Sequence, residues 1–399
     1  MSAVASITPR PRAGNAEQLG PYIVYERLGM GGMATVHRAE TRGTAQRGKP
    51  VAVKRLLSHL HSDPDAVKAF IFEAKLASHL HHTNVVQVFD FGKIDDDYFI
   101  AMEYIAGPTL KQIMGQCTAA AGAMPLPIVI SILCQICDAL DHAHNLCDKA
   151  GRPLGIIHRD VSPSNIIVSS AGIVKLIDFG IAKAATGALT QAGIIKGKFA
   201  YLAPEYTLGQ LDLRADLFAL GVIAHELLTG LRLFGGDNDY ETILQLREMP
   251  IQPPSRWNAG VSRELDDIVM TALHRVPDQR WQNARAMRNA LTNAANEFAV
   301  AVRPHQLSKW VEWAFSQLPR REDTALLRAI DTLEDPTRAL RVRRVGVSAP
   351  SQPLQPARTG TTVLASRPQS ASLSPLLLLL FITIAAAAYY RGLLVSVGL

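Results

Sequence analysis

The sequence has few cysteines, no apolar run near its start and only a small excess of positive charge. Each of these absences excludes one class of protein or partner. Cysteine occurs at four of the 399 positions, all between 117 and 147, which argues against a disulfide framework and for a reducing, cytoplasmic setting. Residues 1–20 contain no apolar stretch of signal-peptide length and are expected to form a flexible arm. Lysine and arginine exceed the acids by only six, so no nucleic-acid partner is expected.

One cysteine pair raises the question of a metal. Cys134 and Cys137 are separated by two residues, and His142 and His144 follow closely, which are the residue types of a zinc site. Both cysteines fall on the apolar face of a predicted helix, where this spacing is ordinary for core residues. We therefore expect packing there rather than a metal.

The pattern of apolar residues divides the first 300 residues into two parts. Residues 22–104 alternate short β-type runs with one helix, which starts at the capping sequence Ser62-Asp63-Pro64-Asp65. From about Pro127 the chain is mostly helical, with apolar residues at a spacing of four: Ile128, Ile132, Ile136 and Leu140. This indicates an α+β, two-lobed fold, in which a small β-rich lobe is joined near Glu103–Gly107 to a larger helical lobe.

Residues 296–342 are predicted to form a helical extension. Five apolar residues share one helical face there: Leu307, Trp310, Val311, Ala314 and Leu318. We expect this face to pack on the helical lobe, because apolar stripes usually face a core. Docking of a partner is the alternative.

The last part of the chain predicts a linker followed by a membrane segment. Residues 343–374 are rich in serine, proline and threonine, which is typical of a disordered linker. Residues 375–397 are mostly apolar, carry no charge apart from Arg391 and are long enough to cross a bilayer. Six arginines and no acid lie between 338 and 374, which places the preceding domain on the cytoplasmic side. A packed or amphipathic helix is the alternative.

A glycine-rich segment indicates a phosphate site. Leu28 to Val36 reads LGMGGMATV and follows a predicted strand. Glycines such as Gly29 and Gly31 allow the backbone to approach phosphates closely. A dinucleotide fold would continue with a helix, whereas a second strand follows here. The segment therefore predicts a β-hairpin that covers the phosphates of ATP.

A lysine and a glutamate follow this loop at suggestive positions. Lys54 lies on a predicted strand and can neutralise the α- and β-phosphates, and Glu73 lies on the next helix and can hold the lysine in place. An isolated lysine and glutamate are more often an exposed ion pair on the protein surface, without a functional role. Its position after the glycine loop favours the functional interpretation.

The segment Ile157 to Asn165, IHRDVSPSN, carries most of the chemistry. Asp160 can accept the proton of an attacking hydroxyl, and Asn165 can bind a metal ion. Asp178, before Phe179 and Gly180, supplies a second metal-binding oxygen group. Charge neutralisation, in-line positioning and a base suffice for phosphoryl transfer.

Together with Ala203-Pro204-Glu205, these motifs resemble the eukaryotic-type protein kinase superfamily over about residues 21–295. GGMATV and HRDVSP are more narrowly similar to bacterial serine/threonine kinases of the myxobacterial kind. The resemblance implies the bilobal protein kinase fold, ATP and Mg²⁺ as cofactors, and protein substrates phosphorylated on serine or threonine.

The resemblance also implies roles for further residues. Met102 would guard the back of the adenine site, Asp216 would anchor the catalytic loop, and Arg280 would pair with Glu205. Arg159 implies regulation by phosphorylation of the activation loop, where Thr186 and Thr190 are the acceptors considered. The residues implied to bind the nucleotide are Leu28, Gly29, Gly31, Val36, Ala52, Lys54, Glu103, Ile105 and Ile167.

Three positions depart from the family pattern. Ala34 replaces the third glycine, Ser162 replaces a lysine that contacts the γ-phosphate, and Lys198 replaces a threonine. The last two positions lie together in the family fold. We therefore predict that Lys198 supplies the charge that Ser162 lacks and is a catalytic residue, with a solvent-facing Lys198 as the alternative.

Two other functions remain open at this point. Ser162 raises the possibility of a pseudokinase scaffold, although Lys54, Asp160, Asn165 and Asp178 are all present. A small-molecule phosphotransferase of related fold is the second possibility, and Ala203-Pro204-Glu205 argues against it. Serines and threonines in the linker are possible sites of trans-autophosphorylation, which would require a transient homodimer.

Overall fold

In the computed structural model, residues 16–42, 48–179, 198–208, 211–297 and 302–317 are described. Contacts within the chain define one unit of residues 1–335 and another of residues 336–399. All described residues belong to the first unit.

The N-terminal lobe is built on a six-stranded antiparallel sheet with the order β1-β2-β3-β4-β6-β5. Its strands are β1 (Glu17–Leu19), β2 (Tyr22–Met30), β3 (Ala34–Thr41), β4 (Pro50–Leu56), β5 (Val88–Ile94) and β6 (Asp97–Glu103). Helix α1 (Pro64–Ala77) follows β4. It begins as its start signal predicts, because the side chain of Asp63 accepts hydrogen bonds from the backbone of Asp65 and Ala66.

Alternation along β4 places the side chains of Ala52 and Lys54 on one face of the strand. Lys54 pairs with Val36 on β3, and Ala52 pairs with Met102 on β6. Residues two apart on a strand point to the same face, so Ala52 and Lys54 share one face of the sheet. Ala52 and Met102 belong to the apolar cluster that also contains Phe70 of α1.

The run of β-type residues from Val85 to Gly92 joins the sheet only at Val88, where β5 begins. Val85 forms an isolated bridge to Leu176, and the backbone N–H of Val86 donates to the Leu176 carbonyl over 3.0 Å. The first residues of the run therefore bond to the helical lobe and not to β6, although a local pattern of this kind favours one continuous strand.

The C-terminal lobe is mainly helical. Its helices are α2 (Leu110–Gln116), α3 (Leu126–His144), α4 (Arg214–Thr229), α5 (Asp239–Glu248), α6 (Arg263–Ala272), α7 (Ala284–Glu297) and α8 (Pro304–Ser316). A small antiparallel pair, β7 (Ile166–Val168) and β8 (Val174–Leu176), carries the loops of the site. The apolar stripe predicted on α3 is buried, and α4 is buried along almost its whole length.

The extension beyond residue 295 is described only as far as residue 317. Leu307, Val311 and Ala314 of α8 are buried in the C-terminal lobe, as their shared face predicts, whereas Leu318 lies outside the described residues. Within the described part of the chain, one helix is long and apolar enough to span a membrane, and it is α3, whose apolar window is 56% buried. The predicted linker (343–374) and membrane segment (375–397) lie outside the described residues.

Candidate active site

The glycine-rich segment forms the hairpin between β2 and β3, as its position after a strand predicts. The backbone N–H of Gly31 donates to the Ala34 carbonyl over 2.8 Å and closes the turn. Leu28, Gly29 and Gly31 line the cleft between the lobes. Ala34, at the position of the third glycine, is buried in the apolar cluster below the turn, so its methyl group is accommodated by packing.

Lys54 joins three elements of the site. Its Nζ atom lies 2.7 Å from Glu73 Oε1 on α1 and 3.0 Å from Asp178 Oδ1. Burial alone would lower the pKa of Lys54, but the charges of Asp178 and Glu73 outweigh burial and the net pKa is raised. Lys54 is therefore a permanent positive charge at the base of the cleft.

The walls of the cleft match the residues expected around an adenine ring. Val36, Ala52 and Ile167 border the same cavity of about 2150 Å³. Glu103 and Ile105 border it where β6 passes into the hinge, which we define as residues 104–109. Met102, just before the hinge, is 7% exposed. Val36, Ala52 and Ile167 thus give this part of the cavity apolar walls, which is usual for a ligand site.

The side chain of Glu103 has a partner that the sequence did not indicate. Its Oε2 atom lies 2.7 Å from Nζ of Lys175 on β8. This ion pair links the start of the hinge to the C-terminal lobe. Lys175 lies between the buried Val174 and Leu176 on β8, so alternation predicts that its side chain points to the opposite face. The sequence does not indicate that Glu103 is its partner.

Asp216 of α4 holds the catalytic loop through its backbone. Its two carboxylate oxygens each accept an N–H over 2.8 Å, one from His158 and one from Arg159. Nε2 of His144 lies 2.9 Å from the same carboxylate. Burial would raise the pKa of Asp216, but its interactions with His144 and with His158 together outweigh burial, and the net pKa is lowered. The carboxylate is thus an anion that orders the loop.

The loop positions Asp160 through neighbouring backbone and side chains. The N–H of Asp160 donates to His158 Nδ1 over 3.2 Å, and the Asp160 carbonyl accepts from Asn165 Nδ2 over 2.9 Å. Burial lowers the pKa of His158, so its ring is neutral and Nδ1 can accept. Arg159 has a left-handed backbone with φ of +64°, which turns the chain sharply before Asp160.

Asn165 and Asp178 fit the oxygen ligands that Mg²⁺ prefers. The amide nitrogen of Asn165 is used in its bond to the Asp160 carbonyl, so its oxygen would be the metal ligand. The N–H of Ile177 donates to the Asn165 carbonyl over 2.9 Å, which places the two ligand-bearing segments side by side. Asp178 has φ of +54°, a conformation that aspartate tolerates better than most residues.

Arg280 and Glu205 form the pair that the resemblance implied. Nη1 and Nη2 of Arg280 donate to the two carboxylate oxygens over 2.7 and 2.6 Å. The guanidinium is fully buried and lies 4.9 Å from the ring centre of Phe218. This pair connects the segment after the activation loop to the helical core.

Ser162 and Lys198 are the two positions at which a swap of the catalytic charge was predicted. Ser162 is 4% exposed, and its Oγ makes no hydrogen bond within the described part of the chain. Lys198 begins a short 3-10 helix, Lys198–Tyr201, but its side chain lies outside the described atoms. Thr186 and Thr190 also lie outside the described residues.

Tyr201 makes a contact that sequence reasoning missed. Its hydroxyl donates to Glu226 Oε2 on α4 over 2.7 Å, and Glu226 Oε1 accepts from the Leu233 backbone over 3.1 Å. The bond joins the end of the activation segment to the core helix. Both side chains line the large cavity, but neither residue belongs to a motif used in the sequence analysis.

Comparisons with curated proteins agree with these motifs. Tyrosine-protein kinase MasK of Myxococcus xanthus strain DK1622 is 38% identical over 280 residues, which cover 70% of this chain and 43% of MasK. Serine/threonine-protein kinase Pkn1 of the same species is 39% identical over 285 residues, 70% of this chain and 39% of Pkn1. PknB of Mycobacterium leprae is 38% identical over 269 residues, 65% of this chain and 41% of PknB. The chain thus spans less than half of the length of these relatives.

The fold has solved counterparts. The kinase domain of PknI from Mycobacterium tuberculosis matches with a TM-score of 0.53 at 26% identity, covering 73% of this chain and 99% of that domain. The sequence also matches the family model described as the protein kinase domain over residues 22–292. With its two lobes and its site motifs in order, the chain belongs to the protein kinase family.

Proposed function

We propose that this chain is a protein kinase that transfers the γ-phosphate of Mg-ATP to serine or threonine hydroxyls of proteins. The observation that carries the proposal is the convergence of Lys54 on Glu73 and Asp178 in the cleft that Asp160 and Asn165 also border. A scaffold without catalysis would not need this set. The membership of the chain in the protein kinase family supports the same reading.

The residues divide the transfer between them. The substrate oxygen attacks the γ-phosphorus, the bond from that phosphorus to the β–γ bridging oxygen breaks, and Asp160 accepts the hydroxyl proton. Lys54 would neutralise the α- and β-phosphates, with Glu73 holding its ammonium group. Asn165 and Asp178 would hold Mg²⁺, which supplies charge neutralisation on the phosphates.

The class of acceptor is the point on which the relatives differ. MasK is named a tyrosine kinase, whereas Pkn1 and PknB are named serine/threonine kinases. In this chain Ser164 precedes Asn165, where the loop of tyrosine kinases usually carries an arginine. We therefore assign serine and threonine as acceptors.

Transfer from labelled ATP tests this function directly. The 399-residue chain, with Mg²⁺ and a generic protein acceptor, should place label on serine or threonine in acid hydrolysates. Label on tyrosine alone would reverse the acceptor assignment. Measurable ATP binding without label on the chain or the acceptor would favour the scaffold.

Lys198 completes the proposed site. If it supplies the charge that Ser162 lacks, Lys198→Ala should lower turnover by about 10²-fold, the scale of one lost transition-state contact. Lys198→Arg should retain part of the activity because it keeps the charge. Steady-state rates at saturating ATP check this, and turnover within about twofold of the unchanged chain would show that Lys198 faces solvent or substrate instead.

Regulation and assembly form part of the same proposal. Phosphorylation of Thr186 or Thr190 would place a dianion near Arg159, whose Nε is buried without a hydrogen-bond partner in the described residues. One chain would phosphorylate another in a transient homodimer. The proposed parts are a kinase domain at 21–295, a helical extension at 296–342, a linker at 343–374 and a membrane helix at 375–397.

The proposed membrane helix predicts a simple fractionation result. The 399-residue chain should sediment with membranes and resist extraction by salt, because about 20 apolar residues suffice to span the bilayer. A chain ending at residue 374 should be recovered in the soluble fraction. If salt alone releases the 399-residue chain, the segment is instead a packed or amphipathic helix.

A further inference from the structure

Helix α8 reaches the cleft in which the nucleotide would bind. Its residues Ser308, Val311, Glu312, Phe315 and Ser316 line the same cavity as the glycine loop and the hinge. Leu307 and Ala314 are fully buried, so the apolar face of the helix packs on the lobe. The helix follows the part of the chain that matches the family model, which ends at residue 292.

The first turn of α8 packs against the turn between β7 and β8. A methyl group added to Gly172, which has φ of +75°, would lie 1.7 Å from the Pro304 carbonyl oxygen. Two residues earlier in the turn, the Ser170 carbonyl accepts a hydrogen bond from Ser308 Oγ over 2.8 Å. The turn and the helix therefore meet through a close backbone approach at Gly172 and through the Ser308 hydroxyl.

The same turn bonds to the hinge. The N–H of Ser170 donates to the Ala106 carbonyl over 2.7 Å, and the N–H of Val168 donates to the Pro108 carbonyl over 3.0 Å. A methyl group added to Gly107 would lie 1.9 Å from the Val168 carbonyl oxygen. Any shift of this turn would therefore shift the hinge, and the turn also contacts α8.

The other end of α8 is held by α2, which begins directly after the hinge. Nε2 of Gln116, the last residue of α2, donates to the carbonyls of Ala314 and Gln317 over 2.9 and 3.2 Å. The last carbonyls of a helix lack donors from a following turn. The Ala314 carbonyl also accepts from the Gln317 N–H over 3.2 Å, so Gln116 adds a second donor at this helix end. One end of α8 therefore contacts the β7–β8 turn, which bonds to the hinge, and the other end contacts α2, which follows the hinge.

We propose that α8 fixes the geometry of the hinge and that Gln116 and Ser308 are positioning residues for nucleotide binding. The inference rests on the proposed function only in that ATP binds in this cleft. Asp160 and Asn165 belong to a loop held by Asp216 of α4, whereas the hydrogen bonds described for α8 go to α2 and to the β7–β8 turn. Release of α8 should therefore weaken binding of ATP and leave the chemical step nearly unchanged.

The test uses the 399-residue chain with Gln116→Ala and Ser308→Ala combined. The Kd for ATP, measured by titration calorimetry, should rise about three- to tenfold, the scale of one or two lost hydrogen bonds. The kcat at saturating ATP should stay within about twofold, since the catalytic loop is untouched. Amide hydrogen exchange should rise in α8 and at Val168 and Ser170, whose N–H groups bond to the hinge.

Two further variants make the result decisive. Gly172→Ala should release the start of α8 by direct crowding and raise the same Kd. Thr271→Ala removes only an exposed hydrogen bond from the Thr271 hydroxyl to the Asp267 carbonyl within α6, so it should change neither the exchange of α8 nor the Kd. Faster exchange in α8 with an unchanged Kd would overturn the proposal and leave α8 as a packed helix only. Unchanged exchange in both test variants would overturn it as well. Failure of the unchanged chain to bind ATP would instead count against the proposed function.

Discussion

Replacing Asp160 with asparagine should lower the rate of phosphoryl transfer by about 10²- to 10⁴-fold, the range that a general base contributes. Asparagine has the same shape but cannot accept the proton of the attacking hydroxyl. The two hydrogen bonds described for Asp160 use its backbone N–H and carbonyl, so they survive the change. The affinity for ATP should therefore stay within about twofold, and the loss should appear in kcat.

A matched control separates the loss of the base from the loss of a charge. Asp148 forms an exposed ion pair with Arg152, over 2.8 Å, and Asp148→Asn should leave both kcat and the Kd for ATP unchanged. Single-turnover transfer to a protein acceptor is the measurement of choice, because it isolates the chemical step. Transfer by Asp160→Asn within about tenfold of the unchanged chain would assign the base to another group.

Replacing Arg280 with glutamine should reduce the free energy of unfolding by about 3–5 kcal/mol, the cost of breaking a buried ion pair by removing one partner. The change would leave Glu205 as a buried carboxylate without its guanidinium partner. It would also remove donation to the His274 and Arg275 carbonyls, over 2.6 and 3.0 Å. The effect should be large because Glu205 and these two carbonyls lose their shared partner at once.

The comparison for this prediction is an exposed pair in the same lobe. Arg285 lies 2.9 Å from Asp141, with 69% of its side chain exposed, and Arg285→Gln should cost about 0–1 kcal/mol. Urea titration of the two variants gives the difference, provided that the slopes of the transitions agree. Equal losses in the two variants would mean that burial of the Arg280 pair does not contribute to stability.

Local patterns explain why much of the site could be predicted from the sequence. The start of α1 at Asp63, the apolar stripe of α3 and the strand that carries Lys54 each depend on neighbours within a few residues. The approach of Lys54 to Glu73 was predicted from their order after the glycine-rich loop, one on a strand and the other on the next helix.

Contacts between distant segments were the part that the sequence did not disclose. Val85 bridges Leu176 of the C-terminal lobe, and Glu103 pairs with Lys175 of β8. Only the packing of the two lobes brings these residues together, and no local pattern indicates it. The apolar face of α8 predicted that the helix packs, but not that it packs beside the hinge.

The crowding at Gly107 and Gly172 has a consequence for how this sequence tolerates variation. In a library of single substitutions selected for activity, both positions should be depleted of every other residue, because even alanine brings a carbon within 1.9 Å of a backbone oxygen. Neither glycine carries a side chain that could take part in phosphoryl transfer. Intolerance at these positions would therefore reflect backbone contact between the hinge, the β7–β8 turn and α8, and would not mark additional chemistry.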